Sequence, residues 1–171
     1  MKLAAIQMTS GADVAENLAM ARSYIDEAAL AGADLVVLPE NFSLMAGRHS
    51  DRLRVAEAED EVRTFLSTLA GQHQLVLVGG SVPLPAAESK VTNTCLVYGP
   101  DGSCLARYDK MHLFDVELEE GESYSESRYI EPGANLVMVN ALSTRIGVSV
   151  CYDIRFPELY RDLVRQGAEI L

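Results

Sequence analysis

Three polar residues stand where runs of apolar residues stop: Glu40 after Leu35-Val36-Val37-Leu38-Pro39, Lys110 after Leu105-Ala106-Arg107-Tyr108-Asp109, and Cys151 after Ile146-Gly147-Val148-Ser149-Val150. In α/β sheets ligands collect at the carboxyl ends of strands and in the loops beyond them. Singly, each residue has an ordinary reading, because Cys is among the most buried residue types and strand-end Glu and Lys are commonly solvated charges. Together they answer a chemical need. A free thiol is only a few per cent thiolate at neutral pH, so a nucleophilic cysteine requires a base to take its proton or a positive neighbour to lower its pKa. Glu40 is a candidate for the first role and Lys110 for the second. Attack on a carbonyl also builds an oxyanion, for which Lys110 and the backbone N–H of Tyr152, just after the cysteine, are candidate donors.

A Cys–His arrangement competes with this one, since His112 lies two residues past Lys110 and shares its side if the chain stays extended. His112 sits in Met111-His112-Leu113-Phe114, however, an apolar setting that suits a hydrogen-bonded structural imidazole. His49 and His73 occupy polar contexts that read as surface. A metal would need three or four ligands at recognisable spacing. His112, Asp115 and Glu117 are the one combination on paper, so neither a metal nor another cofactor is expected.

The elements that must position these residues alternate between strand and helix. Lys2 to Met8 reads as a strand, and Thr9 to Asp13 supplies turn and cap residues ahead of a helix over Glu16 to Ala31, in which Leu18, Ala21, Ile25 and Ala28 recur at helical spacing. Leu35 to Leu38 is a short buried strand that stops at Pro39. A second helix fits Ala56 to Ala70, with Val62, Phe65, Leu66 and Leu69 on one face, and Leu75 to Val78 forms a strand ending in Gly79-Gly80. Thr92 to Tyr98 and Cys104 to Tyr108 flank the turn cluster Gly99-Pro100-Asp101-Gly102, which predicts a hairpin and therefore a mixed sheet. Met111 to Gly133 is acidic and without period, and a loop of that length is usually functional. Leu136 to Val139 and Ile146 to Cys151 read as strands around the turn Asn140 to Thr144, and Pro157 opens a helix to about Gln166. Asp153 and Arg155 are expected to hold the strand-to-helix turn together, Arg155 pairing with Glu158. A carboxylate-binding role is the alternative for Arg155.

Gly167-Ala168-Glu169-Ile170-Leu171 repeats the step by which Gly32-Ala33-Asp34-Leu35-Val36 leaves a helix for a buried strand. The expectation is that residues 1–171 form the N-terminal part of a longer domain. Composition sets further bounds. The 171 residues carry 14 Lys plus Arg against 25 Asp plus Glu, a formal net charge of -11 that disfavours nucleic acid or an anionic membrane as partner. No apolar run approaches the roughly 20 residues of a membrane span, and the first residues do not resemble a signal peptide, so the cytoplasm is the expected location. Three cysteines, none in a CxxC, indicate neither a disulfide framework nor a zinc knuckle.

Three blocks, Leu35-Val-Val-Leu-Pro-Glu40-Asn-Phe, Arg107-Tyr-Asp-Lys110-Met-His-Leu-Phe-Asp and Gly147-Val-Ser-Val-Cys151-Tyr-Asp-Ile-Arg-Phe-Pro-Glu158-Leu, resemble the nitrilase superfamily of carbon–nitrogen hydrolases. The opening Ala-Ala-Ile-Gln-Met strand and Gly79-Gly80-Ser81 look like this family too, so the resemblance covers essentially the whole chain. It implies an α-β-β-α sandwich longer than this chain, with Cys151 as nucleophile, Glu40 as general base and Lys110 as oxyanion stabiliser. A second glutamate in the family's pattern corresponds to Glu126, with a role in positioning Lys110 and the substrate amide, and Glu120 and Glu122 are rivals for that place. The activity implied is cofactor-free hydrolysis of a small amide through a thioester. Lys110-Met-His-Leu-Phe-Asp-Val-Glu, Ser125-Glu-Ser and Cys151-Tyr-Asp-Ile-Arg-Phe-Pro-Glu-Leu-Tyr-Arg look most like the branch of ω-amidases and deaminated-glutathione amidases. Alternatives are a nitrilase, an N-carbamoyl amino-acid hydrolase, or a non-catalytic protein on the same fold. A homodimer of the full-length protein is expected from the same resemblance.

Overall fold

The computed structural model describes residues 1–87, 89–117 and 121–171. Its centre is a six-stranded mixed sheet. The strands are β1 (Leu3–Ala5), β2 (Leu35–Val37), β3 (Val76–Val78), β4 (Val82–Pro85), β5 (Val91–Tyr98) and β6 (Cys104–Asp109). β1, β2 and β3 run parallel, joined by helical crossovers, whereas β5 is antiparallel to β3, β4 and β6. β3 pairs with the Val97–Tyr98 end of β5 and β4 with its Val91–Thr94 end, so both share one edge of β5 and β6 takes the other.

Short apolar strands are what this position demands, because both faces are covered. Val36, Leu77 and Leu96 point to one side, against Leu18, Ala21 and Ile25 of α1 (Val14–Leu30) and Val62, Leu66 and Leu69 of α3 (Glu59–His73). Leu35, Val76, Cys95, Val97 and Tyr108 point to the other, against Val139, Ile146, Val148 and Val150. The last four belong to a second layer, the antiparallel pair β9 (Met138–Ala141) and β10 (Thr144–Gly147) with the extended residues that follow it. α4 (Pro157–Arg165) packs outside that pair, which completes an α-β-β-α layering. Among the described residues no helix is long and apolar enough to cross a membrane.

Several elements depart from the sequence expectation, each for a local reason. The predicted helix Ala56–Ala70 is two helices, α2 (His49–Glu57) and α3, separated at Ala58, whose φ of -101° and ψ of 28° break the helical path. The first half of α2 is charged, and only Val55 and Ala56 are buried, so no apolar stripe announces it. β4 carries Pro83 and Pro85, which argue against a strand except at an edge, where it lies. The Met111–Gly133 stretch contains the hairpin β7 (Asp115–Glu117) and β8 (Ser123–Ser125) followed by a 3-10 turn over Glu126–Arg128; its ladder is largely exposed and has no apolar side to show. The strand expected over Ile146–Cys151 ends at Gly147, and Cys151 opens a 3-10 turn, Cys151–Arg155. His73 is not a free surface residue, since its Nε2 lies 2.7 Å from Asp26 Oδ1, and His49 stacks on Tyr129 at 4.7 Å between ring centroids.

The loop that carries Glu40 is fixed from two sides. Asn17, buried in α1, donates from Nδ2 to the carbonyls of Gly11 and Ser43, tying the loop after β1 to the loop after β2. Ser81 Oγ accepts from the Asn41 N–H at 3.0 Å. Gly80 adopts φ +53°, and a Cβ there would overlap the carbonyl oxygen of Pro39. Gly80→Ala is therefore expected to cost about 1–3 kcal/mol or more, lowering the urea midpoint without changing the slope, while Gly47→Ala, where a Cβ meets open space, leaves it in place. Equal midpoints for the two variants would show that this close approach does not constrain the loop.

Candidate active site

β5 and β6 bring the cluster together. The Lys110 N–H donates to the Asn93 carbonyl at 2.9 Å, extending the β5–β6 ladder by one residue beyond the end of β6. From there the Lys110 side chain enters the protein until only 2% of it is exposed. Its Nζ lies 3.0 Å from Glu40 Oε1 and 2.9 Å from Glu126 Oε2. Burial works to lower the Lys110 pKa, but the charges of Glu40 and Glu126 outweigh it, and the net shift is upward, so the ammonium form is held firmly. Gly133 braces the same point: its N–H donates to the Lys110 carbonyl at 2.9 Å, and a Cβ on it would overlap the Asp109 carbonyl.

Among the described residues, Glu126 is the acidic residue of the β7–β8 region that pairs with Lys110. The Phe114 N–H donates to its Oε2 at 2.7 Å, and its own N–H donates to the Phe114 carbonyl at 3.3 Å, so both ends of the residue are clamped. Its rival Glu122 is exposed and is not among the carboxylates paired with Lys110, and Glu120 lies outside the described residues. Asn93 was not singled out from sequence. It is 5% exposed, and its Nδ2 donates to Glu40 Oε1 at 2.8 Å and to Glu126 Oε1 at 3.4 Å, spanning both carboxylates that flank Lys110. The signal that could have found it is the polar run Thr92-Asn93-Thr94 inside a strand that is buried along its whole length.

Cys151 shares a cleft of about 100 Å³ with Glu40, Gly80 and Ser149. It adopts φ +49°, a left-handed conformation unusual for a residue with a Cβ. Such a strained turn between strand and helix holds a nucleophile out from the backbone. The turn is locked by Asp153, which is fully buried: its Oδ2 accepts from the Val150 N–H at 2.9 Å and the Tyr108 hydroxyl at 2.6 Å, and its Oδ1 lies 3.0 Å from the His112 N and 2.7 Å from His112 Nδ1. His112 also stacks on Phe156 at 3.8 Å, so its ring serves the turn. The expected Arg155–Glu158 pair does not form: Arg155 is exposed, and Glu158 lies 3.8 Å from Arg161 instead. The Tyr152 N–H lies in the opening turn of the 3-10 segment, where N–H groups lack intrahelical acceptors, and it takes no backbone acceptor elsewhere among the described residues. Among the described residues no set of three His, Cys, Asp or Glu side chains is placed to hold a metal.

A family model described as carbon-nitrogen hydrolase matches residues 2–171. The chain belongs to the carbon-nitrogen hydrolase family. A deaminated glutathione amidase of Synechocystis sp. is 43% identical over 173 residues, covering 98% of this chain and 63% of the relative. The human omega-amidase NIT2 is 36% identical over 170 residues, covering 99% of this chain and 61% of the relative. The chain thus spans a little over three fifths of these curated relatives. Among solved structures of this carbon-nitrogen hydrolase fold, the NitFhit protein of C. elegans superposes with a TM-score of 0.86 at 32% identity over 98% of this chain and 42% of that one. An amidase of Nesterenkonia sp. AN1, described with acrylamide added at its active site cysteine, gives 0.84 at 27% identity over 98% of this chain and 64% of that one.

Burial and the nearby Glu40 carboxylate push the Cys151 thiol above its ordinary value, and Lys110 offsets only part of this. Cys95 is pushed up to about 12 by burial alone. With iodoacetamide, Cys95 is expected to stay unlabelled in the folded protein. Labelling of Cys151 should rise with pH around a midpoint above the ordinary thiol value of about 8.5, and Glu40→Gln should move that midpoint down because it removes a negative neighbour. Peptide mass spectrometry across pH 6–10.5 measures both, and a wild-type midpoint at or below the ordinary value would contradict the geometry.

Proposed function

We propose that the protein hydrolyses the C–N bond of a small carboxylic-acid amide, of the deaminated glutathione amidase or ω-amidase type, through a thioester on Cys151. The observation that carries this reading is the Lys110 ammonium fixed between two carboxylates beside a cysteine on a strained turn. The raised Cys151 pKa favours a resting thiol over a resting thiolate, which makes proton removal during attack the task of a neighbouring base. Glu40 takes that proton as the sulfur bonds to the amide carbon and the carbonyl oxygen becomes an oxyanion. Lys110 Nζ and the Tyr152 N–H donate to the oxyanion, where a single donor is worth about 2.7–4 kcal/mol. Collapse re-forms the carbonyl and breaks the C–N bond while Glu40 hands its proton to nitrogen, and ammonia leaves. Glu40 then takes a proton from water, the water oxygen attacks the thioester carbon, and the C–S bond breaks with the proton returning to sulfur.

Within this scheme Glu126 positions Lys110 and faces the substrate amide. The partner is a small molecule. The same reading carries the expectation of a cytoplasmic homodimer, supported for the compartment by three unpaired thiols, which suit a reducing environment.

Ammonia release from a panel of ω-amides, deaminated glutathione, a nitrile and an N-carbamoyl amino acid tests the proposal. Release from an amide is expected, with Cys151→Ala losing several orders of magnitude in kcat/KM and Glu40→Gln about 10²–10⁴-fold. His112→Ala should retain the chemistry while lowering thermal stability. Abolition of activity by His112→Ala with Glu40→Gln unaffected would instead establish a Cys–His pair, and a folded protein inert on every amide would sink the hydrolase reading.

A further inference from the structure

The two carboxylates that flank Lys110 receive their donors differently. Glu126 is met on both oxygens: Lys110 Nζ and the Phe114 N–H lie at Oε2, at 2.9 and 2.7 Å, and Lys110 Nζ and Asn93 Nδ2 at Oε1, at 3.2 and 3.4 Å. Glu40 is met on one. Asn93 Nδ2 at 2.8 Å and Lys110 Nζ at 3.0 Å both lie at its Oε1, and among the described residues no donor is paired with its Oε2. Glu40 lines the cleft it shares with Cys151, and its carboxyl is a hydrogen-bonding neighbour of the thiol.

Asn93 is the residue of β5 that turns to this cluster. Thr92 and Thr94 on either side of it face the other way and bond to each other at 2.6 Å. The Asn93 backbone carbonyl accepts the Lys110 N–H, so one residue sets the main chain of the lysine and the side chains of both carboxylates. The orientation of its amide is forced: Nδ2 offers an N–H to each carboxylate, whereas a carbonyl oxygen in its place would face both with nothing to donate. A carboxylate oxygen that already accepts an ammonium and an amide N–H can take a proton only by giving one of them up, while the other oxygen of the same group keeps its lone pairs. Where the donors sit therefore chooses the basic atom. Glu126 has no oxygen to spare, and Glu40 has Oε2.

We propose that Asn93 is a positioning residue which, together with Lys110, commits Glu40 Oε1 and so leaves Oε2 as the atom that receives the Cys151 proton. The inference rests on the amidase reading above and deepens it. The proton moves from Sγ to Oε2 as sulfur bonds to the amide carbon, and from Oε2 to nitrogen as the C–N bond breaks. In the second half Oε2 takes a proton from the attacking water and returns it to sulfur as the C–S bond breaks. Asn93 touches no reacting atom in this scheme, and its effect passes through Glu40.

Asn93→Leu, which keeps the branched shape and deletes the donors, tests this in the native and the Glu40→Gln backgrounds. Lys110, Glu126 and Cys151, the titratable groups around Glu40, are kept in both. On an amide substrate Asn93→Leu should lower kcat/KM about 10- to 100-fold, chiefly in kcat, and move the acid limb of the pH profile to higher pH, because a carboxylate that loses a donor is protonated more readily. In Glu40→Gln the same change should cost about threefold or less. Equal losses in the two backgrounds, or an acid limb that stays in place, would overturn the proposal; Asn93→Ser carries the same comparison if Asn93→Leu does not fold. Iodoacetamide labelling of Cys151 separates this inference from the amidase reading. Without the Asn93 donor the Glu40 charge is less compensated, so the labelling midpoint should rise by about 0.5 in pH, and the rise should be absent in Glu40→Gln. A midpoint that does not rise, or that rises equally in both backgrounds, would sink the proposal whatever the amides show. If no amide is hydrolysed the amidase reading fails, while a rise confined to the native background would still assign Asn93 to Glu40.

Discussion

Lys110 carries its charge into a site that is 2% exposed, and the surrounding structure is arranged to make that tolerable. Removing an ammonium from water costs several kcal/mol after relaxation, and breaking such a buried pair by deleting one partner costs about 3–5 kcal/mol. Two carboxylates far apart in sequence meet it, one from the loop after β2 and one from the turn after β8. Asn93 joins the carboxylates to each other, so neither can turn away without leaving a buried amide unsatisfied. The interactions that would orient a reacting amide are therefore the same ones that keep an internal cation satisfied.

A second buried charge anchors the other half of the site, and it hangs on the same strand. Tyr108 ends in a hydroxyl bonded to Asp153, and Lys110, two residues on, ends in an ammonium bonded to Glu40 and Glu126. Residues two apart on an extended chain project to the same side. β6 and the residue beyond it thus hold the cysteine turn and the acid pair in one frame, and a slip of one residue against β5 would lose both. Burial and the Asp153 carboxylate push the Tyr108 hydroxyl well above its ordinary value, so it remains a hydrogen-bond donor throughout the working pH range.

What could be read from the chain is what depends on neighbours in sequence. α1, α3, β2 and β3 announce themselves through helical or fully apolar runs, and the β5–β6 hairpin through its Gly99–Gly102 turn. Glu40, Lys110 and Cys151 were legible because a charged or nucleophilic side chain at the end of a buried run is conspicuous. Asn93 was not, because its role exists only where β5 passes between two loops 86 residues apart in sequence, those of Glu40 and Glu126. Residue type and local context leave Glu120, Glu122 and Glu126 open, and only family resemblance favoured Glu126; its distinction is the Phe114 amide that receives it. α2 and β4 escaped for the opposite reason, since charges and prolines mask elements that tertiary packing stabilises.

The arrangement around Cys151 makes reactivity conditional. A thiolate there would add a third negative charge to two carboxylates gathered about one ammonium, which is why burial and Glu40 raise the thiol while Lys110 compensates only in part. The proton accordingly stays on sulfur while the site is empty, and a neutral thiol is a poor target for oxidation as well as a poor nucleophile. In the proposed mechanism, once an amide carbon is within reach the charge released by proton transfer passes from sulfur to the carbonyl oxygen, for which the Lys110 ammonium and the Tyr152 N–H are the proposed donors. Negative charge then forms where the donors are instead of where the carboxylates are. In that proposed mechanism the same two glutamates that suppress a free thiolate favour its concerted consumption, and the buried lysine serves the transition state more than the resting state.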